Sequence, residues 1–537
     1  MRVARPGRGA RLAVTAGAVL GMAMAVLGAG QKTAQTAAQA AVPGQEKSMK
    51  KDRAATAVAT GGLATVLIPS PASPLVTFRI QFRAGAIDDP AGKEGLNALT
   101  ALTIAQGGTK ELTYREVTER LDPMAASIQG QPDREVTTFV GEVHRDHLKG
   151  FYELFTSILL KPRFDPADFA RGRDLLLAGI ETNLRGNDDE ELGKETLNLM
   201  MYVGGPYGRP DIGTVQGLKS ITLEDIKTHY LKMYRRGNVL LGVAGGYPPA
   251  MVETLKEDFA ALPEGAPPIV TLPTPRAAEG MEVTIVDKPA PATAISIGFP
   301  IGVTRADKDY TALVVAASYL GEHRTFNGRL MNSMRADRGL NYGDYSYIET
   351  FIQDGGSTFP LANIPRRRQH FSIWIRPVRP ENTLFALRQA TRELARLVSG
   401  GLPAQEFEQT RKYLLNYSRL WTQSMSRRLG FQMDARFYGT PDVVARLAQE
   451  LPKLKVEDVN AAVKKHLGKG LLSVAIVTDK AADLKALLLS GKPTPISYQT
   501  PTTREDLLTE DKEIEAYPLP VTPDRVRVVK AQELFER

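Results

Sequence analysis

Residues 76–108, VTFRIQFRAGAIDDPAGKEGLNALTALTIAQGG, contain the pattern that decides the fold. Alternating apolar positions at the start predict a strand, and the apolar run from Leu96 to Ala105 predicts a short helix. Acidic residues and a proline precede this helix and a glycine pair follows it, as at ordinary helix ends. Ala98, Ala101 and Leu102 stand at i, i+3 and i+4 and share one helix face. A metal-binding helix would carry its ligands at this spacing, but these side chains offer none.

The same strand, turn and helix pattern recurs at residues 293–322, TAISIGFPIGVTRADKDYTALVVAASYLGE. Residues 220–246 and 453–479 share a second pattern, a capped helix followed by a buried strand. Further helices are predicted at 113–122 and 165–186. The chain is therefore predicted to be a duplicated α+β protein.

The first forty residues have the order of a secretory signal. Four arginines precede an apolar run, which ends in small residues with an Ala-Gln-Ala site. An uncleaved membrane anchor is the alternative, because the run approaches spanning length. Removal of residues 1–40 lowers the formal net charge from +8 to +3. The chain has no cysteine, which excludes disulfides, thiolate metal sites and cysteine nucleophiles. We expect a periplasmic protein, with attachment to the inner membrane, facing the periplasm, as the alternative.

Composition divides the rest of the chain into five parts. Residues 41–60 are small and polar and predict a flexible lead-in. Residues 61–262 and 281–490 are patterned and predict two domains, which the Pro- and Ala-rich residues 263–280 join as a linker. Residues 491–537 are rich in Pro and Thr and predict a tail that wraps the surface or is partly disordered.

Two polar groups have a structural or a functional interpretation. The basic run at 366–368 is short and predicts a solvated loop, so no nucleic-acid partner is expected. The segment EVHRDH places ligand-type side chains close together, namely Glu142, His144, Asp146 and His147. No apolar pattern encloses them, so a solvated helix start is favoured over a metal site.

Several landmarks occur in an order typical of one family. FRAGAIDDPAGKEGL, LLKPRFDPADFARGRDLLLAGIETNLR and GGPYGRPDIGT resemble the M16 metallopeptidases, the pitrilysin and insulinase family that includes mitochondrial processing peptidase. The likeness covers about residues 62–490. It implies two homologous M16-type domains, each an antiparallel sheet flanked by helices, which help to enclose a peptide-cutting chamber. Active members carry an H-x-x-E-H zinc motif on the helix after GKEGL, with a distal glutamate as third ligand.

The resemblance places this motif on residues that cannot serve it. The two histidines correspond to Ala98 and Leu102, the general base to Ala101 and the distal ligand to Gly179. None of these side chains has a lone pair to donate, and no histidine occurs among the first 143 residues to supply a shifted motif. Glu181 would be a lone carboxylate, which is a poor zinc site. No metal or other cofactor is therefore expected on this chain.

The C-terminal half retains another family feature. Residues 327–351, NGRLMNSMRADRGLNYGDYSYIETF, resemble the family segment with an arginine and a tyrosine seven positions apart, here Arg335 and Tyr342. The resemblance implies that this pair holds the substrate carbonyl and stabilises the oxyanion that forms on it. Gly339 is predicted to be a left-handed helix C-cap. Arg338 lies outside the family pattern, and its removal is expected to matter much less. The alternative is a surface arginine and an ordinary strand aromatic.

These observations predict a non-catalytic subunit of a zinc peptidase. We expect a heterodimer with a zinc-bearing M16 homologue. That homologue would hold the metal and cut peptide substrates with help from this chain. No contact of this chain with the membrane is expected once the signal peptide is removed. One alternative is a scaffold that binds extended peptides by strand addition without hydrolysis. Another is a peptidase with an unrecognised site. Tyr345, Tyr347 and Trp374 are predicted to pack in a core, with peptide contact as the alternative for the two tyrosines.

Overall fold

A computed structural model describes residues 63–276, 280–322, 328–353, 357–468, 470 and 472–537. The predicted signal peptide and lead-in lie outside the described residues. The protein contains two α+β domains, as the duplicated pattern predicts, and a carboxy-terminal tail that contacts both. No helix in the described part of the chain is long and apolar enough to cross a membrane.

The N-terminal domain is built on a five-stranded sheet of order β1-β5-β2-β4-β3. Its strands are β1 (Ala64–Pro69), β2 (Leu75–Phe82), β3 (Ser127–Pro132), β4 (Thr137–His144) and β5 (Val239–Gly245). Its helices are α1 (Leu96–Ala105), α2 (Tyr114–Leu121), α3 (Leu148–Leu160), α4 (Pro166–Ala178), α5 (Asp189–Met201), α6 (Val215–Ser220), α7 (Leu223–Met233) and α8 (Ala250–Phe259). Phe78, Phe151 and Phe155 are fully buried at the centre of the core.

The C-terminal domain is built on a six-stranded sheet of order β11-β6-β10-β7-β9-β8. Its strands are β6 (Met281–Asp287), β7 (Thr293–Ile301), β8 (Asp344–Tyr347), β9 (Gln369–Val378), β10 (Leu472–Thr478) and β11 (Val526–Lys530). Its helices are α9 (Tyr310–Leu320), α10 (Thr383–Gly400), α11 (Ala404–Leu420), α12 (Met425–Tyr438), α13 (Val443–Glu450), α14 (Val456–Leu467), α15 (Ala481–Ser490) and, in the tail, α16 (Glu505–Glu515).

The strand orders confirm the duplication. Without β11, the second sheet repeats the order of the first strand for strand. Both sheets are mixed rather than wholly antiparallel, because β1 pairs with β5, and β6 with β10, in the parallel direction. In each domain the parallel pair consists of the first and the fifth strand in chain order, so the chain between them is long enough to permit parallel pairing.

One helix of each domain packs against the sheet of the other domain. α5 packs against β7 and β10 of the C-terminal sheet, and α12 packs against β1, β2 and β5 of the N-terminal sheet. Glycines permit this close approach: a Cβ on Gly242 would lie 2.8 Å from Met433 Sδ, and one on Gly193 would lie 3.2 Å from Ser296 Oγ. The exchange interlocks the two domains.

Buried ion pairs complete the contact between the domains. Arg366 is 1% exposed and forms two hydrogen bonds with the Asp133 carboxylate, one of them 2.7 Å from Nη2 to Oδ1. Arg367 binds Glu135 at 2.8 Å. The prediction of a solvated loop at 366–368 is therefore wrong, because an acidic segment of the other domain faces the arginines.

The tail adds an edge strand and then crosses to the N-terminal domain. β11 pairs with β6 in parallel, from Val526 opposite Val283 to Lys530 opposite Asp287. Beyond it, Phe535 is fully buried in an apolar cluster that both domains form, and it has a φ of +74°. A bulky residue adopts this backbone conformation only where its surroundings impose it.

Candidate functional site

The helix that corresponds to the family's zinc helix is sealed by apolar packing. α1 begins and ends where the sequence predicts, and the Asp89 carboxylate caps it by accepting from the backbone amides of Gly95 and Asn97 at 2.8 and 2.7 Å. Ala98 is 1% exposed and Ala101 is fully buried. The helix face that would hold a metal is instead buried against apolar side chains.

The remaining motif positions lie where α4 meets α1. Leu102 is half-buried, and a Cβ on Gly172 of α4 would lie 3.4 Å from its Cδ2. Gly179 is buried and begins a π-helical segment, Gly179–Asn187, directly after α4. The side chains at the four motif positions contain no nitrogen, oxygen or sulfur atom that could bind a metal, so these residues do not fit a zinc ion.

Nearby carboxylates do not replace the lost ligands. Glu181 points to Lys219, 3.7 Å away, in an exposed ion pair. In the other candidate group, Glu142 accepts a 2.5 Å hydrogen bond from Thr77, and His144 Nδ1 lies 3.3 Å from Asp146. Across the described ranges, no group of three or more His, Asp or Glu side chains is placed to hold a metal.

Arg335 and Tyr342 come together at a corner of the C-terminal domain. Arg335 lies in a π-helical turn, Met331–Ala336, and Gly339 follows with a φ of +60°, the left-handed cap that the sequence predicts. The Arg335 guanidinium carbon lies 4.6 Å from the centroid of the Tyr342 ring. Tyr342 is 70% exposed, so its side chain is accessible to a ligand.

The guanidinium of Arg335 faces few competing groups. Among the described residues, it makes one hydrogen-bond contact, a weak one of 3.8 Å to the sulfur of Met331, and no carboxylate pairs with it. Arg376 also lies over the Tyr342 ring, at 5.9 Å, but it is neutralised by Glu190 of α5 at 3.0 Å. Arg335 therefore presents a positive charge and donors beside an exposed phenol.

Hydrogen bonds from the side chain of Asn341 hold the turn that carries Tyr342. Asn341 Nδ2 donates to Asp344 Oδ1 at 2.7 Å and to the Arg376 carbonyl at 2.9 Å. Asp344 is fully buried, and its Oδ2 has no hydrogen-bond partner in the described structure. Burial raises the pKa of Asp344 to about 8, so this carboxyl is protonated at neutral pH. Asn341 and Asp344 were not predicted, since neither stands out in sequence.

The aromatic residues beside the corner are packed as predicted. Tyr345, Tyr347 and Trp374 are 6–7% exposed and form one cluster with Met331 and Phe351. Lys194 of α5 lies 3.9 Å from the centroid of the Trp374 ring. This side of the sheet is therefore covered by the helix from the other domain.

The corner and the former motif helix lie in different domains. Across the described residues, no hydrogen bond or shared apolar cluster joins Arg335 or Tyr342 to α1. The chain thus keeps a polar corner without a metal site next to it.

Comparison with known proteins identifies the fold. Residues 64–214 match the family model described as insulinase (peptidase family M16), and residues 220–414 match the peptidase M16 inactive domain. The chain belongs to the M16 peptidase family. The crystal structure of an M16 inactive domain from Pseudomonas fluorescens resembles this M16 chain with a TM-score of 0.68 and 22% identity, covering 78% of this chain and 95% of that one.

Relatives of this M16 chain include proteins without and with peptidase names. A non-peptidase homolog, YmxG of Helicobacter pylori, is 21% identical over 414 residues, 76% of this chain and 90% of the relative. A probable mitochondrial-processing peptidase subunit beta from Arabidopsis thaliana is 26% identical over 217 residues, 40% of each chain. The match to a non-peptidase homologue agrees with the missing zinc ligands and supports an inactive M16 fold.

The sequence did not reveal the contacts of Arg338. Its side chain is fully buried and donates to Asp511 at 2.7 Å, to Glu510 at 2.9 Å and to the Ser333 carbonyl at 2.8 Å. Its removal is predicted to affect turnover much less than removal of Arg335, and that stays a prediction. The carboxylates that bury it belong to α16 in the tail, far away in sequence.

Proposed function

We propose that the protein is the non-catalytic subunit of a periplasmic M16 zinc peptidase heterodimer. The partner would be a zinc-bearing M16 homologue, and this chain would contribute Arg335 and Tyr342 to the bound peptide. The observation that carries the proposal is the preformed, exposed pair itself, with a guanidinium that no described carboxylate neutralises. The absence of metal ligands on α1 supports a division of roles between two chains.

In the proposed peptide hydrolysis, this chain needs to supply only fixed hydrogen-bond donors. A peptide carbonyl gains negative charge as its carbon is attacked, and donors that are already in place stabilise that charge without reorganising. The Arg335 guanidinium and the Tyr342 hydroxyl are such donors. The cation over the ring face also restrains both side chains before a peptide binds.

Reconstitution with a zinc-bearing M16 homologue tests the proposal. Native mass spectrometry should detect a stable heterodimer, and a fluorogenic peptide should be cut by the pair but not by this chain alone. Tyr342→Phe and Arg335→Ala should each lower turnover by about 10²–10³-fold while leaving assembly unchanged. Arg419→Ala, which removes an exposed arginine of α11, is the matched control. Near-normal turnover by both site variants would refute the assigned roles.

A peptide-binding scaffold is the second candidate. β3 is one of the two edge strands of the N-terminal sheet, so one of its long edges faces no other strand among the described residues. An extended peptide could add to such an edge through main-chain hydrogen bonds. This function predicts peptide binding by the isolated chain, measured by fluorescence anisotropy, without hydrolysis and without loss in Tyr342→Phe. Failure to bind peptide would exclude it.

A further inference from the structure

The carboxy-terminal tail packs directly beneath the corner that carries Arg335. Its helix α16 lies along α10 and presents acidic side chains to a group of arginines. Glu510 contacts Arg338 at 2.9 Å and Arg392 at 2.8 Å, and Glu513 contacts Arg392 at 2.5 Å. The tail is therefore held to the C-terminal domain by charge as well as by the burial of Leu507 and Ile514 in the described structure.

Asp511 is the most enclosed of these acidic residues. One carboxylate oxygen accepts from Arg338 Nε at 2.7 Å, and the other accepts from the Tyr498 hydroxyl at 2.7 Å. Asp511 is 4% exposed. Both oxygens thus serve as fixed acceptors, and Arg338 is the only arginine in the described part of the chain whose guanidinium Asp511 binds.

Arg338 transmits this contact to the turn. Its Nη1 donates to the carbonyl of Ser333, which also accepts from Gln389 Nε2 at 3.1 Å. Ser333 lies in the π-helical turn, two residues before Arg335. A π-helical turn is a rare geometry that is frequent at functional sites, and here hydrogen bonds from Arg338 and Gln389 hold it.

Arg335 depends on this turn for its position. Its guanidinium has only the soft contacts to Met331 and the Tyr342 ring, neither of which fixes it as an ion pair would. We propose that Asp511 is a positioning residue, which acts through Arg338 to fix the π-helical turn and so to aim Arg335. The inference rests on the proposed function, and it makes the tail part of the substrate site.

The electrostatics of the tail support the same contact. Burial opposes ionisation of the Glu510 carboxyl, but hydrogen bonds from Arg392 and Arg338 outweigh it and lower its pKa to about 2. The Glu510 carboxylate therefore remains ionised at neutral pH, where it can pair with both arginines.

The test compares Asp511→Ala with Glu513→Ala, a matched control on the same helix that contacts Arg392 but not Arg338. In the isolated chain, amide hydrogen exchange of residues 331–343 should accelerate at least tenfold in Asp511→Ala and remain unchanged in Glu513→Ala. Asp511→Asn keeps an acceptor for Arg338 and should recover most of the protection. Unchanged exchange in Asp511→Ala would overturn the proposal.

Activity of the reconstituted pair gives a second, independent result. Asp511→Ala should lower kcat by about 10- to 100-fold with little change in KM, because a displaced donor weakens transition-state contacts. In a double-mutant cycle, adding Asp511→Ala to Arg335→Ala should cost less than twofold more. A full additive loss would show that Asp511 does not act through Arg335. If wild-type pairs cut no peptide, the proposed function fails, while the exchange experiment still decides the role of Asp511.

Discussion

Replacing Asp133 with alanine would leave the guanidinium of Arg366 buried without its countercharge. Arg366 is 1% exposed and Asp133 is 4% exposed, and the two residues join the domains across 233 positions of sequence. Removing one member of a buried ion pair costs about 3–5 kcal/mol, because the remaining charge has lost its solvation and its partner. We expect Asp133→Ala to lower the free energy of unfolding by about this amount.

Urea unfolding at neutral pH, followed by near-ultraviolet circular dichroism, measures this effect. Glu119→Ala is the control, because Glu119 forms an exposed pair with Arg115 and its loss should leave the midpoint nearly unchanged. The double variant Asp133→Leu with Arg366→Met removes both charges and should recover most of the lost stability. If Asp133→Ala matched the surface control, or if the double variant were the least stable, the buried-charge argument would be wrong.

Three further predictions concern the tail, the corner and the metal. Phe535→Ala should lower the free energy of unfolding in urea by about 3–5 kcal/mol, whereas Val528→Ala, on the exposed edge strand, should have little effect. Asp344 has a pKa raised by burial to about 8, so its own contribution to stability should fall as pH rises from about 4 toward 8; the difference in unfolding free energy between the wild type and Asp344→Asn should therefore shift in favour of the variant over this range, and a difference independent of pH would contradict it. Elemental analysis of the purified chain should find less than stoichiometric zinc, and one tightly held zinc per chain would refute the analysis of α1.

Local features were predictable where neighbouring residues decide them. The bounds of α1 follow from its apolar run and its flanking signals, and the left-handed conformation of Gly339 follows from its place after a helix. The pairing of Arg335 with Tyr342 was found through the family resemblance. These features depend on sequence separations of a few residues, which a sequence displays directly.

Contacts between distant segments were not predictable in the same way. In the sequence, Arg366 resembles any basic loop residue, and only the fold shows that Asp133 lies opposite it. Arg338 likewise looks dispensable in the sequence, and only the fold shows its ion pair with Asp511. The proline and threonine content of the tail is typical of an irregular segment. The tail nevertheless contains a helix and an edge strand, and both pack against the C-terminal domain. Burial of a charge is decided by its partner, and the partner's position is a property of the fold.

The position of Phe535 has a consequence for how the molecule is made. The carbonyls of Phe535 and Glu536 accept from the amides of Val215 and Gln216 at 3.0 and 2.8 Å, and Arg185 binds the Leu534 carbonyl at 2.7 Å. The N-terminal domain emerges first during synthesis, yet the cluster that holds Phe535 stays unfilled until residues 534–536 have been made. A chain that stops before Leu534 would therefore expose apolar surface that Leu534 and Phe535 otherwise cover.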